Sequence, residues 1–253
     1  MNTLAEKFVD AWIKRDLLDI KSDELPKSRA ESHSIQENFH KVLKKKTLGW
    51  KIGLVTKNLQ QGAKVDGPMI GRIIEETVLI NPSKIQYSKV PECILECEFA
   101  LKFLEDTKMV PGAENKKKNY EVYISLELVS SRVKPSSKKD LDPQTLLNLN
   151  IADNGGQGAI VIGDKIKNLD KVDLNSIKVE VDVNGKISSS WEKRAHPVEA
   201  IKCIVNEFKD NPVTFKKGDW FMTGSVIQPF RVNKGDKLKI DFKTLGKINL
   251  DFI

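Results

Sequence analysis

Cysteine and histidine are scarce in this sequence, which contains only three of each among 253 residues. A disulfide-stapled scaffold needs more cysteines, and the CxxC and HxxxH pairs of zinc ribbons and zinc fingers are absent. No apolar run approaches the roughly 18 residues that a membrane-spanning helix needs. The amino-terminal segment also lacks the basic and then apolar regions of a signal peptide. These absences favour a cytoplasmic protein without membrane contact, whose three cysteines stay reduced.

Basic residues outnumber acidic ones, with 42 Lys and Arg against 35 Asp and Glu, and the formal net charge is +7. The lysine runs are short and scattered, at residues 44–46, 116–118 and 138–139, and few aromatic residues are interleaved with them. Such runs are typical of a solvated surface, whereas a nucleic-acid interface concentrates basic residues on one face. We therefore expect a protein that binds no nucleic acid.

Helical patterns appear in three parts of the chain. Leu4, Phe8 and Trp12 recur at every fourth position, which predicts an amphipathic helix. A second helix is predicted from Ser28 to about residue 46, because a serine followed three residues later by glutamate forms a capping-box pattern. A third helix is predicted to begin at Pro197, since proline suits the first helical turn.

Strand-like segments fill much of the remaining chain. They are short apolar or alternating runs, at residues 50–55, 78–80, 94–104, 120–133, 177–183, 238–242 and 248–252. Asn184-Gly185 is a hairpin turn pattern. Because the strands do not alternate regularly with helices, the pattern favours a β-rich α+β fold over a doubly wound sheet. We divide the chain into a helical and lead-in segment, 1–75, and a β-rich catalytic body, 76–253, and expect one structural unit.

Three glutamates are candidates for a metal site. Side chains alternate along a strand, so Glu96 and Glu98 share one face of the run at 94–104, while Cys97 lies on the apolar face. Glu127 interrupts a second apolar run. Three carboxylates on two strands would suit Mg²⁺, which prefers oxygen ligands. A solvated face for the first two, and an ion pair of Glu127 with Arg132 or a lysine, remain open alternatives.

Lys51 lies between apolar residues and is flanked by Gly49 and Gly53, which allow close backbone approach. It could bind a carboxylate or transfer a proton, or it could extend its ammonium group to solvent. Of two glycine-rich segments, 153–158 matches neither a P-loop nor a dinucleotide-binding pattern, and 218–225 ends a short strand in a turn that carries hydroxyl groups. The second could donate N–H and hydroxyl groups to an anion, although both could be ordinary turns.

Six short motifs occur in an order and spacing that are specific when taken together. They are GWKIGL at 49–54, VDGPMIG at 65–71, ECE at 96–98, LELVSSR at 126–132, ADN at 152–154 and TGS at 223–225. Over nearly its whole length the chain thereby resembles the hydratase/decarboxylase family of aromatic meta-cleavage pathways. That family includes 2-oxopent-4-enoate hydratase and 4-oxalocrotonate decarboxylase. The resemblance implies the fumarylacetoacetase-type fold, a mixed β-sheet body preceded here by amino-terminal helices.

The resemblance also implies a mechanism and a set of site residues. Glu96, Glu98 and Glu127 would hold Mg²⁺ or Mn²⁺, and a small anionic 2-hydroxydienoate or its 2-oxo tautomer would chelate the metal, which stabilises the dienolate as a Lewis acid. Lys51 would bind the substrate carboxylate or aid proton transfer, and the loop that carries Thr223 and Ser225 would close over the substrate. The resemblance further implies a homo-oligomer.

One position departs from the family pattern and keeps several functions open. Met69 stands where the family often has an aspartate used in proton transfer. We expect water addition of the 2-keto-4-pentenoate hydratase type, with decarboxylation of the 4-oxalocrotonate type through the same dienolate as the alternative. An acylpyruvate C–C hydrolase would use a Glu-His pair, whereas His33 and His40 fall on a predicted surface helix. A basic, non-catalytic binding protein is the remaining alternative.

Overall fold

A computed structural model describes residues 3–115, 119–189 and 196–253, so the lysine run at 116–118 lies outside the described residues. The helices of the described part are α1 (Leu4–Lys14), α2 (Arg29–Leu43), α3 (Lys57–Gly62), α4 (Pro143–Ala152) and α5 (Pro197–Glu207). None of the helices in these ranges has both the length and the apolar character needed to cross a membrane.

Within the described ranges the strands form three sheets. In chain order they are β1 (Thr47–Gly53), β2 (Met69–Ile74), β3 (Val78–Ile80), β4 (Lys84–Ile85), β5 (Ile94–Phe103), β6 (Thr107–Lys108), β7 (Tyr120–Val129), β8 (Gln157–Lys165), β9 (Glu180–Val183), β10 (Lys186–Ser189), β11 (Thr214–Phe215), β12 (Trp220–Met222), β13 (Phe230–Arg231), β14 (Lys237–Asp241) and β15 (Lys247–Phe252). The largest sheet has the order β2-β1-β12-β5-β7-β8-β3, with β13 also paired to β5. A second sheet has the order β10-β9-β14-β15-β4, and β11 pairs with β6.

The long antiparallel pair of β5 and β7 forms the centre of the largest sheet. The odd-numbered residues of β5, which include Cys97 and Phe99, point to one face of the sheet. Their side chains are buried in a core shared with the second sheet. The rings of Phe99 and Phe242 meet across this core with centroids 6.2 Å apart. A separate apolar cluster joins the amino-terminal helices to β2 and α4 and includes Phe8 and Phe39. The core therefore fixes β5 from one side and leaves its glutamate-bearing face for a site.

The structure confirms the β-rich α+β class and most predicted elements. Ser28 caps α2 as expected, since its side chain accepts a hydrogen bond from the N–H of Glu31. The helix ends at Leu43, before residue 46, because Lys44 adopts a left-handed conformation with φ 54°. Residues 184–185 connect β9 to β10 as the hairpin pattern predicts, and α5 begins at Pro197.

Helix α4 is absent from the sequence prediction. Its buried residues are clustered in the carboxyl-terminal half, from Leu147 to Ala152, and form no regular stripe along the helix. The available signal is local: the Asp142 side chain accepts hydrogen bonds from the N–H groups of Gln144 and Thr145, and Pro143 occupies the first turn. The missed helix matters because it leads directly into the turn at 153–156, which lies beside Lys51.

Candidate metal centre and its cavity

Strands β5 and β7 bring three glutamates together on one sheet face. In their register Glu96 lies opposite Glu127, and Glu98 lies opposite Ser125. One carboxylate oxygen from each glutamate lies within 4.8 Å of the others. Glu98 and Glu127 are 0% and 2% exposed, and Glu96 is half-buried. The three glutamates that alternation and resemblance predict as ligands therefore converge on one point.

The protein groups around these carboxylates compensate their charge only in part. Burial raises the pKa of Glu98 well above its ordinary value, and the neighbouring Glu127 and Glu96 raise it further. Glu98 Oε2 accepts a hydrogen bond from the N–H of Gly224 at 2.9 Å, but Glu98 Oε1 is buried without a donor among the described residues. Because buried carboxylate oxygens are rarely left unsatisfied, this donor set fits a hard divalent cation.

Lys51 is the buried cation of the centre. On β1 it lies beside Met222 of β12, which in turn lies beside Ala100 of β5, so its side chain shares the sheet face of the three glutamates. It is 1% exposed. Its ammonium group forms an ion pair with Glu127 and donates a hydrogen bond to the carbonyl oxygen of Gly155 at 2.6 Å. The sequence left open an ion pair between Glu127 and a lysine. The structure shows this ion pair, with Lys51 as the lysine, within the glutamate cluster.

A turn with three consecutive left-handed residues supports Lys51. Asn154, Gly155 and Gly156 have φ values of 50°, 64° and 65°. Asn154 Oδ1 accepts a hydrogen bond from the Arg72 N–H at 2.8 Å, and its Nδ2 donates to the Arg72 carbonyl oxygen at 2.9 Å. His40 Nε2 lies 3.0 Å from the same Oδ1. The surface position predicted for His40 is wrong, and burial lowers its pKa to about 4.

Arg132 ties the same turn to the end of β7. Its guanidinium group forms a buried ion pair with Asp153, and its backbone N–H donates to Asp153 Oδ2 at 2.9 Å. Its Nη1 also donates to the carbonyl oxygen of Gln157 at 2.9 Å. Arg132 is therefore committed to the turn and does not pair with Glu127. These contacts give the turn at 153–156 a positioning role for Lys51.

Gly155→Ala is expected to displace the Lys51 side chain, because its new Cβ would lie 2.9 Å from Lys51 Cε. We expect this to reduce the turnover of a reaction at the glutamate centre about a hundredfold, since small displacements of catalytic groups have effects of that size. The matched control is Gly185→Ala, which has a similar φ of +85° but no atom within 4 Å of the added Cβ. Both variants carry the left-handed strain of roughly 1–2 kcal/mol. Steady-state kinetics and denaturant unfolding would check this, and equal turnover in the two variants would contradict a positioning role for the turn.

The segment that carries Thr223 and Ser225 packs directly against β5. Thr223 is fully buried, and its hydroxyl donates to the carbonyl oxygen of Phe99 at 2.8 Å. The Ser225 hydroxyl donates to the carbonyl oxygen of Ile227 at 2.8 Å. Both hydroxyl groups hold the segment in place, and the direct contact with the glutamates is the Gly224 N–H. N–H donation from this glycine-rich segment to an anion is one of the two possibilities that the sequence leaves open, and in the structure the donor is Gly224 and the acceptor is Glu98.

A cavity of about 440 Å³ opens beside Glu96. Its lining is mixed, with apolar, basic and acidic side chains that include Met69, Val129, Leu146, Lys138, Lys139, Arg231, Glu92 and Glu96. Met69 is half-buried. The sequence predicts solvated surface for the run at 138–139, and this is wrong for Lys138, which is only partly exposed and donates to Ser131 Oγ at 2.6 Å. Periodicity could not reveal this contact, because it joins two loop residues.

Comparison with known proteins shows similarity along almost the whole chain. The chain is 24% identical over 260 residues to a 2-oxo-hept-4-ene-1,7-dioate hydratase from Escherichia coli, covering 99% of the chain and 97% of the relative. It is 22% identical over 259 residues to a 4-oxalocrotonate decarboxylase from Pseudomonas putida, covering 99% and 96%. No protein-family model matches the chain. The resemblance stated from the sequence motifs is confirmed by these relatives.

Solved structures agree on the fold. The 4-oxalocrotonate decarboxylase from Pseudomonas putida G7, complexed with magnesium and adipate, superimposes with a TM-score of 0.84 at 20% identity, covering 99% of this chain and 96% of that one. A fumarylacetoacetate hydrolase family protein from Yersinia pestis CO92 gives a TM-score of 0.55 at 16% identity, with 81% and 92% covered. The predicted fumarylacetoacetase-type fold is therefore confirmed.

Proposed function

We propose that this chain, which is similar over its whole length to a hydratase and a decarboxylase of 2-oxo acids, is itself a lyase that depends on a divalent metal. Its substrate would be a small 2-hydroxydienoate or the 2-oxo tautomer, and Mg²⁺ or Mn²⁺ would be the metal. The observation that carries the proposal is the convergence of Glu96, Glu98 and Glu127 around a buried oxygen without a donor. Such an arrangement is costly for stability and has a clear use in metal binding.

The residues of the centre have separable roles in this proposal. Glu96, Glu98 and Glu127 would hold the metal, which when bound supplies Lewis-acid stabilisation of an enolate. The Lys51 ammonium group lies at the same face and is held by Glu127 and the Gly155 carbonyl oxygen. In this proposal it binds the substrate carboxylate or holds a proton for transfer to carbon. Because it is almost fully buried, its charge acts there with little screening by water.

We propose water addition as the reaction, with decarboxylation as the second candidate. The hydratase proposal follows the family resemblance of the site motifs. The decarboxylase proposal is favoured by Met69, which lines the cavity and presents a thioether where the family often has a proton-transferring aspartate. Loss of CO₂ from the 2-oxo tautomer would leave the electron pair of the broken C–C bond in a dienolate and needs no acid at that position, whereas addition of water needs a group that moves protons.

Two further alternatives have less support. An acylpyruvate hydrolase would need a Glu-His pair at the site, but the histidines of α2 are engaged elsewhere. His40 contacts Asn154, and His33 Nε2 lies 3.0 Å from Glu207 Oε1. A non-catalytic binding protein would gain nothing from two buried, poorly compensated glutamates. The homo-oligomer and the cytoplasmic location stay predictions from the resemblance and the sequence.

The test is an assay of the purified chain with Mg²⁺ and a 2-hydroxydienoate, followed through the ultraviolet band of the diene. We expect metal-dependent loss of the band, with chelation by EDTA stopping it and added Mg²⁺ restoring it. Formation of a 4-hydroxy-2-oxo acid would identify a hydratase, and trapped CO₂ would identify a decarboxylase. Consumption of the diene that continues without any divalent metal would contradict the proposal.

A further inference from the structure

Lys138 lines the cavity that opens beside Glu96, and most of its hydrogen-bonding capacity is unused. Its Nζ atom donates one hydrogen bond, to Ser131 Oγ at 2.6 Å. An ammonium group has three N–H bonds. Among the described residues no other acceptor and no ion pair is found for Lys138, since the nearby Asp153 is engaged by Arg132. Two N–H bonds therefore remain for a molecule in the cavity.

One hydroxyl group connects Lys138 to the turn that positions Lys51. The Ser131 hydroxyl, which accepts the hydrogen bond from Lys138, donates to Asp153 Oδ2 at 2.7 Å. The main chain of Ser131 also packs against the turn, because a Cβ added at Gly156 would lie 3.8 Å from Ser131 Cα. Gly156 and Lys138 line the same cavity. The Lys138 amine is therefore anchored to the same turn as Lys51.

The surroundings of Lys138 favour its neutral amine more than water does. Burial lowers the pKa of Lys138, Asp153 opposes this shift, and Arg132 and Arg231 add to it. A lower pKa increases the share of neutral amine at a given pH, and the neutral amine is the form that takes up a proton. Because the neutral amine keeps two N–H bonds, the hydrogen bond to Ser131 is compatible with both protonation states.

Water addition needs a group of this kind in the cavity. Met69 lines the same cavity, but its thioether neither takes up nor releases a proton. Lys51 is already engaged by Glu127 and by the carbonyl oxygen of Gly155. We propose that Lys138 is the proton-transferring residue of water addition, which takes a proton from water and delivers it to carbon. This inference rests on the proposed function, because the metal centre must hold the 2-oxo acid in the cavity.

The proton that Lys138 takes up is the one that it returns. In the 2-oxo tautomer a C=C bond is conjugated with the ketone, and the water oxygen forms a bond with the β-carbon while the Lys138 amine removes a proton from the water. The electron pair of the C=C bond moves toward the ketone oxygen, which gives an enolate. The Lys138 ammonium group then protonates the α-carbon, the C=O bond re-forms, and the neutral amine is regenerated. One molecule of water is added, and no oxidant or reductant is needed.

The experiment measures formation of the 4-hydroxy-2-oxo acid from 2-hydroxypenta-2,4-dienoate by the full chain with Mg²⁺. Lys138→Met should reduce turnover about a hundredfold or more, as loss of a general acid–base group does, with calorimetric binding of oxalate to the Mg²⁺-loaded chain unchanged. Lys138→Arg should be as slow, because a guanidinium group keeps the charge but is not deprotonated in proteins. Lys134→Met is the matched control and should keep its turnover, since Lys134 lies in the same connection between β7 and α4 but pairs with Asp19.

Added amine separates proton transfer from a structural role of the side chain. Lys138→Ala leaves space where the lysine chain lay, and ethylamine in solution should restore part of the turnover of this variant while leaving the wild type unchanged. A role in packing or in charge alone predicts no rescue by ethylamine and recovery in Lys138→Arg. Rescue also excludes misfolding as the cause of the loss, because a misfolded variant would not regain activity with a small amine.

The outcomes separate the inference from the proposed function. If Lys138→Met or Lys138→Arg adds water at the wild-type rate, or if ethylamine does not rescue Lys138→Ala, the inference is overturned and the metal-centre proposal stands. The same holds if the wild type with Mg²⁺ only converts the diene to its 2-oxo tautomer and adds no water. If the wild type with Mg²⁺ does not consume the diene at all, the proposed function fails, and the inference fails with it.

Discussion

Glu98→Gln is expected to remove measurable lyase turnover, with a loss of about a thousandfold or more. The reason is that this substitution takes one of three carboxylates from the proposed metal centre, and Lewis-acid stabilisation supplies several kcal/mol of the barrier at tenfold in rate per 1.36 kcal/mol. The shape of the side chain is conserved, so the strand pairing of β5 and β7 should persist. Steady-state kinetics with saturating Mg²⁺ would measure the loss.

The same variant should have an opposite effect on the metal-free protein. Glu98 is fully buried, and Glu127 and Glu96 raise its pKa in addition to burial, so a neutral amide removes repulsion at little cost in packing. We expect Glu98→Gln to unfold at the same or a higher denaturant concentration than the metal-free wild type. Mg²⁺ at 100 times its dissociation constant should stabilise the wild type by about 2.7 kcal/mol and the variant hardly at all.

Glu121→Gln is the matched control for this prediction. Glu121 lies on β7, the strand paired with β5, but it pairs with Lys165 away from the centre. It should retain turnover and the stabilisation by Mg²⁺. If Glu98→Gln kept near-normal turnover and a metal response equal to that of the control, Glu98 would not be a ligand.

Lys51→Met should reduce turnover by about a hundredfold to ten-thousandfold, which is the usual range for loss of a proton-transferring group. It should also destabilise the metal-free protein by about 3–5 kcal/mol, because it breaks an ion pair in which both partners are buried. Added Mg²⁺ supplies the missing positive charge beside Glu127, so it should stabilise this variant more than the wild type. Kinetics and denaturant unfolding with and without Mg²⁺ would show both effects.

Lys46→Met is the matched control for Lys51→Met, because it also removes a lysine charge near β1. Lys46 forms an ion pair with Glu75 in which both side chains are well exposed, and exposed pairs contribute about 0–1 kcal/mol. Turnover should be unchanged. A Lys51→Met variant that behaved like Lys46→Met in both measurements would remove Lys51 from the account of the site.

Glu98→Gln and Lys51→Met should change the stability of the metal-free protein in opposite directions, because they change the charge of the centre in opposite directions. Removing a glutamate lowers the repulsion among the carboxylates, whereas removing the lysine increases the excess of negative charge. The stabilisation of the protein by Mg²⁺ should change in both variants. It should be smaller than in the wild type for Glu98→Gln and larger for Lys51→Met. A purely structural role for the two residues predicts destabilisation in both variants and no dependence on Mg²⁺.

Much of the fold and the grouping of the acids could be predicted from the sequence, because they depend on local periodicity. Strand alternation alone placed Glu96 and Glu98 on the face opposite Cys97, as the structure shows. The position of Glu127 across from Glu96 depends on a ten-residue register between strands, which local patterns do not specify. The resemblance of the motifs to a known family predicted that Glu127 joins the other two glutamates, because such a resemblance carries information on the whole fold.

The remaining features depend on contacts that loops and turns make with other parts of the chain. Lys138 belongs to a short lysine run that is typical of solvated surface, yet its hydrogen bond to Ser131 places it at the cavity. His40 is buried because α4 and the turn after it pack near α2 and bring Asn154 to its ring. Helix α4 itself lacks a regular apolar stripe. Sequence periodicity describes each element separately and so gave no indication of these two contacts or of α4.

Binding of a divalent metal by the three glutamates is tested most directly by the crystal structure of the chain grown with Mn²⁺ and examined by anomalous scattering. We expect one strong anomalous peak at the β5–β7 face, bound by one carboxylate oxygen each from Glu96, Glu98 and Glu127, with oxalate able to complete the coordination. An ordered Mn²⁺ ion bound elsewhere while these three carboxylates remain without metal, or no bound ion at millimolar Mn²⁺, would contradict it.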